Sequence, residues 1–198
     1  YKIIPLQADV RKKLDAEKEQ SKEEKEPVTK WKQEEESLGK IHQNWNAIEP
    51  AAIKANLDEK TRRDYENALD RLTINIGKQL PEESLLAAIN LYGKYADITE
   101  VFDTSIPAEF FRVKYNVMMA TVEAVRNNWQ KADQHIVVAQ EKWDNLQVQA
   151  KKSDKKSADC SKFSINDLHS AIKTGQIDLV MAKSSIVMKN LQKLEDKL

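Results

Sequence analysis

Apolar residues recur along this chain every three or four positions from Trp31 to the C-terminus, a spacing that winds them onto one face of an α-helix. The first stripe, Trp31, Leu38, Ile41, Trp45 and Ile48, follows Pro27, which suits a first helical turn, and Pro50 is expected to end or kink the helix. Asn56 with Glu59 reads as the cap of a second helix that turns Tyr65, Leu69, Leu72 and Ile76 inward and frays at Gly77. Pro81 opens a third, with Leu85, Leu86, Ile89, Tyr92 and Ala96 inward, and Asp103, Thr104 and Ser105 break it. In the fourth, after Pro107, the stripe of Phe111, Tyr115, Met118, Val122 and Val125 is widened by Phe110, Val113 and Met119. A face that broad implies burial on several sides and marks the helix as central. Asn127 and Asn128 suit a turn or cap, and a fifth helix then carries Ala132, Ile136, Ala139, Trp143 and Leu146.

Between Lys151 and Lys162 the stripe lapses into Lys, Ser and Asp, which predicts a polar Lys/Ser-rich loop near 151–163. Ser164 with Asp167 resembles a capping box and would start the last helix, striped by Leu168, Ile172, Leu179, Ala182 and Ile186, with Gly175 admitting a close neighbour. No stretch alternates with period two, and four Gly and five Pro are too few for the turns of a sheet. The expectation is an all-α protein, an up-and-down helical bundle of about five to six amphipathic helices forming a single domain over 27–198. Residues from about 8 to 26 are too charged to bury a face, so 1–26 reads as a tether or frayed helix that opens on a small apolar cluster of Tyr1, Ile3, Ile4 and Leu6. A chain of 198 residues has room for a core without staples.

Charge narrows the partners. Lys plus Arg equals Asp plus Glu at 32 each, so no net field draws a polyanion, and nucleic acid is not expected. The densest basic cluster, Lys151, Lys152, Lys155 and Lys156, has no aromatic beside it for a base to stack on and reads as solvated. No apolar run reaches the length of a membrane span, so a membrane enters only through an anchor ahead of Tyr1. The single cysteine, Cys160, lies in a polar stretch away from any His and reads as an incidental thiol.

Catalysis requires particular residues at particular spacings. A di-iron bundle needs Glu three residues before His, but Gly39, Ala132 and Asn166 precede His42, His135 and His169 at that distance. The four glycines are isolated, so no loop cradles phosphate. Met118 and Met119 read as core filler rather than haem ligands, and Asp103 as a turn residue. No catalytic residue, cofactor or metal is expected, and the chain reads as non-enzymatic. The tryptophans mostly fill space between helices. Trp31 and Trp45, and again Trp129 and Trp143, stand 14 residues apart on one helix face, and Trp45, Trp129 and Trp143 are the candidates for a partner or ligand groove.

The segment NNWQKADQHI resembles the inter-helix turn of a tetratricopeptide repeat, with no second copy 34 residues away. The wider pattern, a charged tether, Pro-started helices and the stretch NWQKADQHIVVAQEKW, resembles the soluble domains of uncharacterised helical-bundle lipoproteins exported by Gram-positive bacteria. That resemblance implies an interaction or structural module that is extracytoplasmic and membrane-anchored, with protein as its partner, and it carries over no site residue. The alternatives are a sensor-type bundle that binds a ligand and a cytosolic tetratricopeptide-like adaptor.

Overall fold

The computed structural model describes residues 28–198, and within them the chain is helix and turn with no strand. The expected tether 1–26, with the apolar cluster at its start, lies outside the described residues. In order come α1 (Val28–Lys54), α2 (Glu59–Gly77), α3 (Pro81–Thr99), α4 (Ala108–Val125), α5 (Trp129–Thr174) and α6 (Ile177–Glu195), an all-α helical bundle as the periodicity predicts. The chain divides into two compact units between Leu91 and Tyr92, inside α3. The unbroken apolar stripe of α3 gives no sign of that boundary.

In the first unit α1 and α2 form an antiparallel hairpin. The Trp45 ring lies 4.4 Å from that of Tyr65, His42 Nε2 is 2.9 Å from Thr73 Oγ1, and Arg62 reaches Glu49 at 2.8 Å, so numbers fall along one helix as they rise along the other. Pro50 does not end α1 but lies inside it. Proline removes one backbone donor and the helix tolerates that loss, because Ala52 beyond it is fully buried and Leu57 nearly so. The stop comes at Asn56, whose left-handed φ of 66° lets Asn56 N–H reach Ile53 O and Leu57 N–H reach Ala52 O. Asn56 is therefore a C-terminal residue. The cap of α2 is Asp58, which accepts from Thr61 N–H at 2.9 Å. Ile48, expected inward, is 39% exposed.

The second unit holds a four-rod bundle, because α5 is not one rod. A straight helix would separate Asp133 and His169 by about 54 Å along its axis, yet His169 Nε2 lies 3.0 Å from Asp133 Oδ1. Gln140 with Asn166, Gln147 with Lys162, and Lys151 with Asp159 pair in the same descending register. Asp154, with φ −150° and ψ 98°, is the one non-helical residue in α5, and the chain reverses there into antiparallel arms, 129–153 and 155–174. The loop expected over 151–163 is thus helix on both sides of a one-residue turn. Asp154 makes this possible by capping the second arm: its carboxylate accepts from Ser157 N–H and from Ser157 Oγ, each at 3.1 Å. The apolar stripe vanished here because the residues buried where the arms converge are small: Ala150, Ala158, Ser161 and Ser164. Ser164 is no N-cap. It sits mid-arm and donates to Ser161 O.

Gly175 ends the second arm in the left-handed conformation (φ 66°), so the expected last helix is two, with α6 restarting at Ile177. That interruption shifts the helical phase. Val180, Ser184, Val187, Met188, Leu191 and Leu194 turn inward, whereas Ala182 and Ile186 are exposed. The glycine that admits a close neighbour is Gly93, where a Cβ would stand 2.8 Å from the Tyr115 ring. Lys114 pairs with Glu195 and Thr121 with Ser184 across α4 and α6; Asn116 pairs with His135 and Glu109 with Lys142 across α4 and the first arm. Lys183 with Asp167, and Asn190 with the Cys160 carbonyl, tie α6 to the second arm. Every neighbour is antiparallel, the up-and-down arrangement. Thirteen of the eighteen residues of α4 are buried, in keeping with its central place.

Candidate functional site

The three candidate tryptophans divide between the two units. Trp45 belongs to the first unit and is buried against Tyr65. Trp129, the first residue of α5, is half-buried. Trp143 lies on the same arm, about 21 Å further along at the helical rise, and is 2% exposed.

Trp143 lines a groove. The groove occupies about 320 Å³ in the seam between the two arms of α5, with Gln140, Trp143 and Asp144 from the first arm and Lys162, Ile165 and Asn166 from the second. Helical spacing explains the set. Gln140, Asp144, Gln147, Val148 and Lys151 share one face of the first arm, and Asp159, Lys162, Phe163 and Asn166 share one face of the second. The pairing across the turn sets these faces opposite one another.

The polar groups of the groove are only partly committed. Gln140 Nε2 donates to Asn166 Oδ1 at 2.8 Å, which leaves the Asn166 amide N–H group outside that bond. Lys162 Nζ donates to Gln147 Oε1 at 3.3 Å and stands 3.8 Å from Asp144, whose side chain is 61% exposed, so that ion pair is long and screened. The indole Nε1 of Trp143 is buried without a hydrogen-bond partner. An unpaired buried donor costs about 1–3 kcal/mol. Val148 and Phe163, 65% and 67% exposed, flank the seam toward the turn. Neither belongs to an apolar stripe, since Val148 stands between Gln147 and Gln149 and Phe163 between Lys162 and Ser164.

Elsewhere, titratable side chains are paired with neighbours on adjoining helices. Arg112 reaches Asp97 at 2.8 Å, Glu100 at 2.6 Å and Glu109 at 3.3 Å, and its hydrogen bond holds the Glu100 carboxyl below the usual range. His135 is pushed below its usual value by burial, and burial likewise raises Tyr115. Asn116 Nδ2 donates to Arg112 O, which orients the amide so that its Oδ1 accepts from His135 Nδ1–H at 3.0 Å. Each histidine has a different partner, Thr73, Asn116 or Asp133. Among the described residues no three His, Cys, Asp or Glu side chains gather as a metal site, and no helix is long and apolar enough to cross a membrane. Comparison of the chain with protein-family models, curated proteins and solved structures finds no match.

Proposed function

We propose that this chain is a non-enzymatic interaction module that presents the outer seam of the α5 hairpin to a partner protein. The observation that carries the reading is the pair Val148 and Phe163. Two large apolar side chains, each about two-thirds exposed, stand one on each arm of the hairpin, on helices rather than on a loop. A hairpin closed by one capped residue holds them at a fixed spacing, which lowers the ordering cost of docking. The resemblance to exported helical lipoproteins supports placing the module outside the cytoplasm on a membrane anchor, and protease accessibility in intact cells tests that placement.

The docking reading is tested by a photo-crosslinking residue introduced at position 163, with the exposed position 145 as control. The expected result is a discrete crosslinked protein from position 163 that disappears when Val148→Asp is added. Identical labelling from both positions would refute the reading.

A further inference from the structure

The outer face of the α5 hairpin is divided along its length by charge, and we infer that the partner it takes is a second copy of this chain, laid face to face and antiparallel. Helical spacing places Glu141, Asp144, Lys151 and Lys152 within about 60° of Val148 around the first arm, and Lys156, Asp159 and Asp167 within about 60° of Phe163 around the second. On the first arm the acidic residues precede Val148 and the lysines follow it toward the turn, so the two signs stand on opposite sides of the apolar pair. Some of these charges are already matched within the chain, Lys151 with Asp159 at 3.4 Å and Asp167 with Lys183 at 2.9 Å. The rest are open. Glu141, Lys152 and Lys156 are exposed and form no salt bridge among the described residues, and Asp144, its side chain 61% exposed, has only the long 3.8 Å approach of Lys162.

A face with an apolar centre and opposite signs on either side is complementary to itself. Lys152 lies four residues beyond Val148 and Asp144 four before it, equal offsets of about 6 Å along the helix axis. A two-fold axis that sets Val148 on Val148 and Phe163 on Phe163, with the hairpins antiparallel, therefore sets each Lys152 against the other copy's Asp144. Lys156 and Glu141 extend the basic and acidic ends. The parallel arrangement would stack lysine on lysine, so charge selects the antiparallel one. A uniformly acidic or basic partner would meet half of this face with like charge and is disfavoured. The contact is short, since the arm rises about 17 Å from Glu141 to Lys152. That is too little surface for a permanent dimer, so the pairing is reversible and follows concentration. The inference rests on the docking reading and names its partner.

The test measures the mass of the purified full chain by sedimentation equilibrium from micromolar to millimolar concentration, in reductant so that the exposed Cys160 thiol forms no link between copies. The expected result is a monomer–dimer equilibrium that weakens in high salt and is lost in Val148→Asp and in Phe163→Asp, both at exposed positions. Asp144→Lys and Lys152→Glu each turn two facing pairs repulsive and are expected to weaken the dimer about tenfold. An equimolar mixture of these two variants regains both pairs and is expected to associate like the wild type, a rescue that misfolded chains could not give. A chain that stays monomeric at millimolar concentration, a dimer that survives Phe163→Asp, or a mixture that associates no better than its components would each overturn the inference. A monomeric chain whose position 163 still crosslinks, in a Val148-dependent way, to a protein of different mass would refute the second copy and leave the docking reading standing. Absence of any Val148-dependent crosslink would remove the docking reading, and this inference with it.

Discussion

At the scale of single residues, the second unit is held by polar groups placed inside an apolar bundle. Lys114 and Glu195 pair at 2.7 Å with side chains only 6% and 7% exposed, and the ammonium also lies 5.7 Å from the Phe110 ring centre. Removing one charge strands the other without water, so Lys114→Met or Glu195→Leu alone is expected to cost about 3–5 kcal/mol, and the double variant to recover most of it. Urea unfolding of the three variants measures this; equal losses in single and double variants would contradict it. His135 adds a pH dependence. Its neighbours are Asn116, the Tyr115 ring edge, Glu123 and Lys131, and burial lowers its pKa below 6.5. The unfolded chain therefore binds the proton more readily, so stability is full above about pH 6.5 and declines as pH falls toward the folded value. His135→Gln is expected to flatten the stability profile between pH 7 and pH 5, read from thermal midpoints.

At the scale of elements, three helix stops share one device. Asn56, Gln79 and Asn127 adopt left-handed φ, and in each case the next residue's N–H reaches back five positions, to Ala52, Asn75 and Glu123 respectively. Only the asparagines announce such a turn in the sequence, since Gln has no special liking for that conformation. The reversal at Asp154 works differently, through a side chain. Its carboxyl is held below the usual range chiefly by the backbone hydrogen bond from Ser157, so its cap is complete above the ordinary aspartate pKa and weakens as pH falls below it. Asp154→Ala is expected to fray the start of the second arm, lowering the urea midpoint and speeding tryptic cleavage at Lys155 and Lys156. Cleavage at the wild-type rate would show that packing of the arms, not the cap, sets the turn.

At the scale of the whole molecule, the division between Leu91 and Tyr92 falls inside a continuous helix. The second unit keeps the last turns of α3 through the Tyr95–Phe111 edge contact, the close approach of Gly93 to Tyr115 and the Arg112 clasp on Asp97 and Glu100. A fragment starting at Pro81 retains all of these and the complete bundle. It is therefore expected to unfold in one cooperative transition with full helicity, measured by circular dichroism in urea. A broad, non-cooperative loss of signal would mean that the bundle depends on residues before Pro81.

Local periodicity was enough to reveal the helical class, the inward faces of α2 and α4, and the central place of α4, because each depends on which residues share one side of one helix. Trp143 was legible as a candidate for the same reason. The groove beside it was not, since it needs Lys162, Ile165 and Asn166, and only the reversal at Asp154 brings those to Trp143. A segment whose buried residues are Ala and Ser looks like a loop to any reading of hydrophobicity, although small side chains are what let two arms close on a single-residue turn. The phase shift after Gly175 and the division within α3 are likewise invisible along the chain. Periodicity records how a helix is faced, whereas reversals, phase and boundaries depend on which distant residues the chain brings into contact, and only the tertiary structure decides that.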